Sequence, residues 1–423
     1  MKFVLIIGDG MADDPLAELG GKTPLQYANI PAMDMLAGSG VFGNVLTVPE
    51  GMSAGSDTAI LSIFGCDPRS CFAGRAPLEA AAMGIKLSPG DVAYRCNMIS
   101  IESGAGLFDN KKIVSHSSGA INGAQSDELI RDLFADPVFK VAADNAGIKI
   151  YPGSSFRHIA VQVSQDKGKT RGSSPCLPLV LLTPPHDHIG ECVGQYLPTG
   201  GENAQVLEKL IRMSYDFLDK HPINIKRRAD GKLPADCIWF WAEGTAVELP
   251  NFYEKYDKTG SVISAVPLCQ GIGVLIGLDK VVVEGATGEL YTNYEGKTDA
   301  ALKALETHDF AVIHIEAPDE CTHNGDLKGK IQAVEWIDSR VIAPLIKRLD
   351  LIGDDYRMLV LSDHRTLSST RGHAGGPVPY VIYDSRFSKN TGLKFSEEDA
   401  AKGEFITDGT KLPEILFDLK LPG

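Results

Sequence analysis

Lys2-Phe3-Val4-Leu5-Ile6-Ile7-Gly8-Asp9-Gly10-Met11 opens the chain, and its reading decides the fold. An apolar, β-branched run ends abruptly in a Gly-Asp-Gly turn. That pattern predicts a buried strand with Asp9 at its C-terminal end. Phe310 to Ile315 (FAVIHI) repeats the pattern, followed by a loop carrying Glu316, Asp319 and His323. Met358 to Leu361 (MLVL) repeats it again, followed by Ser362-Asp363-His364. Each strand hands an acidic residue to the segment after it, and open α/β sheets bind ligands at that edge.

Between the second and third runs, Ile331, Val334, Ile337, Val341, Leu345 and Leu349 recur at spacings of three and four. They predict one helical face, with Pro344 kinking or splitting the helix. A β-α-β order of this kind argues for a doubly wound, mostly parallel sheet. From about Cys71 to Gly260 the texture changes. Gly153-Ser154-Ser155, Gly172-Ser173-Ser174-Pro175 and Thr183-Pro184-Pro185 break up strand-like runs (158–163, 179–182) and an amphipathic stretch at 204–218. The expected organisation is therefore discontinuous: residues 1–70 and 261–423 form an α/β domain, and residues 71–260 an inserted α+β cap.

The chain's 423 residues, 43% of them hydrophobic, suffice for two globular cores. Its formal charge of −14, from 41 Lys and Arg against 55 Asp and Glu, disfavours nucleic acid and anionic membranes as partners. It leaves room for a small anionic substrate held by a local positive site. Phe3 to Ile7 is too short for a signal sequence or a membrane span, so a cytoplasmic location is expected. The eight cysteines form no C-x-x-C pair. Cys321, between Asp319 and His323, reads as a bystander, because hard oxygen-rich sites rarely use thiolate.

Asp9, Asp319, Asp363, His323, His364 and His373 combine carboxylate oxygen with imidazole, a set that suits manganese, zinc or iron. Asp319-x3-His323 has chelating spacing, and His373 follows nine residues after His364. Two divalent ions bring +4, against −3 from the carboxylates and −1 from an ionised Ser56. Ser56 begins Ser56-Asp57-Thr58-Ala59-Ile60-Leu61, which reads as a helix start, with Gly55 permitting close backbone approach. A helix N-terminus favours both an alkoxide and a phosphate oxygen; the plain alternative is that Ser56 is an N-cap. Gly21-Lys22-Thr23 lacks the P-loop's first glycine, since position 16 is Leu, and Ser56 is not in a G-x-S-x-G elbow.

Taken in order, these motifs resemble the alkaline phosphatase superfamily, and within it the archaeal-type, 2,3-bisphosphoglycerate-independent phosphoglycerate mutases. The resemblance spans the chain through GDGMADDPLAELGGKTPL, GRAPLEAAAMGI, DVAYRCN, TPPHDHIG, ISAVPLCQGIGV, GATGELYTNYEGK and HIEAPDECTHNGD. It implies an alkaline-phosphatase-like fold whose inserted domain closes over substrate. One metal falls on Asp9, Ser56, Asp363 and His364, the other on Asp319, His323 and His373. The metals are two divalent ions, Mn²⁺ foremost, with Zn²⁺, Mg²⁺ or Fe²⁺ as alternatives and no need for 2,3-bisphosphoglycerate. Ser56 becomes the phosphorylated nucleophile, passing phosphate between the 3- and 2-positions of glycerate. Arg75, Arg95, Arg157 and His158 are candidates for substrate charge, followed by His186, Asp187 and Lys297.

The chain departs from the mutase pattern at Ile60, where His is common, at Gln270, where Lys is common, and at Arg365, which replaces the Gly of D-H-G. GRAPLEAAAMGI is also close to a bacterial branch proposed to be homoserine kinases, which would use ATP. Mutase ranks first, homoserine kinase second and phosphomonoesterase or phosphodiesterase third. A metal-stabilised binding protein without turnover is the non-enzymatic alternative.

Overall fold

The computed structural model describes residues 1–153, 155–164, 180–387 and 389–418. Ser154, the Gly172 to Pro175 cluster and Leu179 lie outside the described residues. The strands run in chain order from β1 (Lys2–Gly8) and β2 (Val41–Val45) to β3 (Val92–Ile101), β4 (Ile113–Ser115), β5 (Ile148–Tyr151), β6 (Arg157–Gln162) and β7 (Cys237–Thr245). They continue as β8 (Gly260–Ile263), β9 (Asp279–Val281), β10 (Phe310–Ile315), β11 (Tyr356–Leu361), β12 (Arg365–Leu367), β13 (Gly372–Ala374), β14 (Val378–Asp384) and β15 (Glu404–Ile406).

The chain divides into two compact units, Met1–Phe72 with Glu248–Gly423, and Ala73–Val247. The first boundary lies close to the expected position. The second lies earlier than residue 260, because Phe252 stacks on Phe310 of β10 with ring centroids 5.3 Å apart. An aromatic anchor of that size commits the segment before β8 to the first unit.

In the first unit eight strands form one sheet, ordered β15-β2-β14-β11-β1-β10-β8-β9. Only β14 runs against the others. The three runs singled out in the sequence lie side by side at its centre, with Gly8 opposite Ile315 and Ile7 opposite Leu361. Parallel pairing in this register brings the residues after all three strands to one edge. Every residue of β1 after Lys2 is buried, as a strand covered on both faces requires.

The expected helix over 331–349 is split. Leu327–Ile337 and Ala343–Ile352 are α-helical, and Asp338–Ile342 is a π-turn between them. Pro344 has no N–H to give Arg340 O, which instead accepts from Thr298 Oγ1 at 3.3 Å. The segment after β10, expected as a loop, is the helix Ala317–His323. That puts Asp319 and His323 one turn apart on the same face.

The second unit is an antiparallel sheet in the order β4-β3-β6-β5, with β7 also paired to β3. All ten residues of β3 are buried. Helices Gly123–Ala135, Pro137–Asn145 and Glu202–Leu218 supply Leu129, Leu133, Phe139, Leu207 and Ile211 to its core. The last of them contains the amphipathic 204–218 stretch. His158 to Gln162 of the 158–163 run lie in β6 and Val163 follows it, whereas Leu181 makes an isolated bridge to Thr199. Among the described residues no helix is long and apolar enough to cross a membrane.

Candidate metal centre

Asp9 follows directly on β1, and the turn after it needs Gly10 at φ +63°. A Cβ at Gly10 would lie 2.6 Å from Thr366 Oγ1 and 2.8 Å from Asp319 Oδ1, so the motif keeps this space for other side chains. Ser56 is the first residue of the helix Ser56–Ile63, and the N-cap is Gly55. The serine hydroxyl therefore serves other partners: Oγ donates to Asp9 Oδ2 at 3.3 Å and lies 3.1 Å from His364 Nε2.

Asp363 and His364 follow β11 and are completely or almost completely buried. Asp363 Oδ1 accepts from the backbone N–H groups of Gly10 and His364 at 3.1 and 2.8 Å. Among the described residues nothing donates to its Oδ2 or to Asp9 Oδ1. His364 Nε2 stands 3.2 Å from the first of these oxygens and 3.5 Å from the second. Unsatisfied buried carboxylate oxygens are costly. Burial, then the charges of Asp363, Asp319 and Glu316, push the Asp9 carboxyl well above the usual range. Converging carboxylates of this kind, at oxygen–nitrogen positions with hard-ligand chemistry, fit a divalent cation.

Asp319 joins the cluster from its helix. Its Oδ2 is 3.1 Å from His323 Nε2, and its Oδ1 is 3.4 Å from His373 Nε2. The two Nε2 atoms are themselves 2.9 Å apart. His323 Nδ1 bonds the carbonyl of Arg371 at 2.8 Å, which turns Nε2 toward Asp319. Ligand atoms of Asp9, Asp363 and His364 lie within 4.8 Å of one another, as do those of Asp319, His364 and His373. All seven candidate ligands thus come together. Cys321 does not join them; burial pushes its thiol up to about 11, and its sulfur lies against Gly329.

Burial opposes ionisation of Asp319, but hydrogen bonds from His323 and His373 hold it well below the ordinary range. The same bond from Asp319 raises His323 from 6.5 to about 9. In metal-free protein the raised His323 contributes stability fully below about pH 6.5 and loses that contribution as pH rises through about 9. A metal must displace that proton, so Mn²⁺ affinity should fall as pH drops from about 9 to about 7. Calorimetric titration in two buffers of different ionisation enthalpy checks the proton release; a pH-independent affinity would refute it.

Two residues missed in the sequence support the ligands. His314, the lone polar side chain of FAVIHI, is fully buried; its Nε2 is 3.0 Å from Asp9 Oδ2, and its Nδ1 is 3.1 Å from Ser264 Oγ. A histidine inside an apolar strand was the available signal, since a buried polar group needs partners. Thr366 is the second, and nothing in its local sequence marks it.

The remaining candidates belong to the second unit, except Lys297. Arg75 Nε is 2.9 Å from Glu79 Oε1, and Arg95 Nε is 3.1 Å from Glu79 Oε2. The Arg95 guanidinium lies 4.2 Å over the Trp241 ring, and that of Arg157 4.2 Å over Phe156. His186, with Asp187 3.6 Å away, packs edge-on against Trp241 at 5.1 Å and His116 at 5.9 Å. Burial lowers both histidines, and Arg95 and Arg157 add to the effect on each. Arg95 and Arg157 thus lie close enough to both imidazoles to disfavour their charged forms, and Arg75 does so for His186.

His158 and Lys297 are placed differently from expectation. His158 Nδ1 accepts from Gly153 N–H at 3.1 Å and its Nε2 bonds Ser126 Oγ at 2.9 Å, so both nitrogens are committed to the core. Burial lowers it to about 4. Lys297 Nζ is buried and donates to His314 O at 2.9 Å. It braces the strand that carries His314.

The pattern of the 2,3-bisphosphoglycerate-independent phosphoglycerate mutases matches residues 37–224. A probable enzyme of that name from Geobacter sulfurreducens is 42% identical over 99% of this chain and 100% of its own. The chain belongs to that family. Its Methanosarcina barkeri relative is 43% identical over 95% of this chain and 96% of its own. A solved Pyrococcus horikoshii protein superposes with TM-score 0.78 at 29% identity, covering 100% of this chain and 99% of that one. The cofactor-independent phosphoglycerate mutase of Thermoplasma acidophilum shares the fold, with TM-score 0.60 at 23% identity over 99% of this chain and 100% of its own.

Within this mutase-family chain the three departures from the pattern have structural places. Ile60 is fully buried in the Ser56 helix. Gln270 Nε2 donates to Ser264 O at 2.6 Å. Arg365 pairs with Asp14 and donates to Gly375 O at 3.3 Å.

Proposed function

We propose that this protein interconverts 3-phosphoglycerate and 2-phosphoglycerate through a phosphoserine on Ser56. The observation that carries the reading is the Ser56 hydroxyl set against Asp9 and His364, beside two buried carboxylate oxygens to which no described residue donates. Asp9, Ser56, Asp363 and His364 would hold one divalent ion, and Asp319, His323 and His373 the other, with Mn²⁺ the first choice for both. Such ions supply Lewis-acid charge stabilisation and lower the pKa of a bound hydroxyl.

The protein's own groups do the rest. Asp9 Oδ2 orients the Ser56 hydroxyl, whose oxygen attacks phosphorus as the bond from phosphorus to the glycerate oxygen breaks. The departing oxygen takes up the proton that Ser56 has lost. The 2-hydroxyl of the same glycerate then attacks the phosphoserine and returns a proton to Ser56, so no nucleotide or second substrate enters. Arg75, Arg95, Arg157 and His186, with Asp187 orienting the imidazole, take the substrate's carboxylate and residual phosphate charge.

Ile60, Gln270 and Arg365 are the observations on the kinase side, and one paired assay separates the readings. Manganese-loaded protein receives 3-phosphoglycerate without nucleotide, or ATP with L-homoserine. The expected product is 2-phosphoglycerate in the first tube. ADP and O-phosphohomoserine in the second tube alone would overturn the mutase for the kinase, and steady phosphate release would overturn it for a phosphatase. No turnover with either would return the protein to a binding role.

A further inference from the structure

Thr366 lies in β12 with no exposed surface, between the two clusters of ligands. Its Oγ1 is 2.6 Å from Asp319 Oδ1 and 3.2 Å from His364 Nδ1. A hydroxyl has one proton to give and two lone pairs with which to accept. The Thr366 hydroxyl donates to Asp319 Oδ1, a carboxylate oxygen that offers lone pairs, so its one proton is spent there. The Thr366 oxygen can then only accept from His364, and Nδ1 of that ring must carry a hydrogen. A neutral imidazole protonated at Nδ1 has its lone pair on Nε2. That lone pair faces Asp363 Oδ2 at 3.2 Å, Asp9 Oδ1 at 3.5 Å and Ser56 Oγ at 3.1 Å.

Thr366 cannot slide away from this duty. Its N–H donates to Ala12 O at 3.0 Å, and its carbonyl accepts from Lys330 Nζ at 2.7 Å. Lys330 is fully buried and is tied in turn to Asp13 Oδ2 at 2.8 Å. Gly10 leaves the space in front of the hydroxyl clear.

We propose that Thr366 is a positioning residue that couples the two metal centres through one proton: it fixes His364 with Nε2 as the ligand atom and orients Asp319 as a ligand of the other centre. The proposal rests on the two-metal reading above and assigns a role to a residue outside the ligand set. Because a single hydroxyl serves both ligands, its loss weakens both centres together, whereas the loss of a residue that merely fills space would alter the melting temperature and leave metal binding alone.

The test is a Mn²⁺ titration of metal-stripped wild type, Thr366→Val, Thr366→Ala and Thr366→Ser, by calorimetry and by electron paramagnetic resonance of free Mn²⁺. Wild type should bind two ions. The Val and Ala variants should lose about 10- to 100-fold in affinity at both sites, the range seen when an outer partner of a ligand is removed. Thr366→Ser should stay within about threefold of wild type, since it keeps the hydroxyl. Unchanged affinity in the Val and Ala variants, or weakening at one site only, would overturn the coupling. A wild type that fails to bind two ions would instead overturn the two-metal reading on which it rests. Nitrogen-15 spectra of histidine-labelled, metal-free wild type need no variant to fold: a His364 hydrogen on Nδ1 is expected, and an Nδ1 without hydrogen would overturn the proposal.

Discussion

Ser56→Ala should abolish phosphoryl transfer, with kcat falling by about 10⁴-fold or more, the scale of loss when a covalent nucleophile is removed. The Ser56 hydroxyl faces Asp9 and His364, and neither that carboxylate nor that imidazole can form a phosphate ester in its place. Asp9 and His364 are buried, and their facing atoms point at the Ser56 oxygen rather than past it. The substitution deletes one hydroxyl from a half-exposed first turn whose N-cap is Gly55, so stability should barely change. Metal binding should persist but weaken, because six of the seven proposed ligands remain. Rapid-quench assays with phosphorus-32-labelled 3-phosphoglycerate would show labelled wild type and unlabelled variant. Turnover within about tenfold of wild type would eliminate the phosphoserine.

The second large effect is that of metal removal. Exhaustive chelation should take activity to background, and Mn²⁺ should restore it. Stability should move with it. Asp9 and Asp363 are buried side by side, and each keeps an oxygen to which no described residue donates. Their mutual repulsion is part of why the Asp9 carboxyl is pushed up. A cation that binds the folded state alone adds about 4 kcal/mol per site at a thousandfold excess over Kd. The loaded protein should therefore melt well above the stripped one, with the gap growing as free Mn²⁺ rises. Full activity after verified metal removal, or a melting temperature indifferent to Mn²⁺, would refute the two-metal site.

Much of this architecture could be read from local patterns. Three apolar runs, each ending in an acidic residue, pointed to adjacent parallel strands and to a ligand edge, and the register places Asp9 and Asp363 on that edge. Pro344 foretold a broken helix, although not that a π-turn and Thr298 would absorb the missing hydrogen bond. Locally, the segment after β10 looked like a loop. It is a helix because Pro318 suits a first turn and Ala317, Cys321 and Thr322 bury against the unit's interior. The substrate candidates were less legible. An arginine or histidine carries the same local signature whether it binds a ligand or braces a core. His158 proved to be committed at both nitrogens and Lys297 to a backbone carbonyl, while His116 went unnoticed beside His186.

By itself the sequence determined which elements form and which residues cap the central strands, because hydrophobic period, glycine turns and proline act over a few neighbours. It also determined the donor chemistry, three carboxylates and three imidazoles beside one serine. Only the tertiary structure decided which atoms face one another. His314 and Thr366 reach Asp9, Asp319 and His364 across separations of 305, 47 and 2 residues. Such contacts follow from strand register and from the burial of polar groups that must find partners, and no local pattern records where those partners will come from.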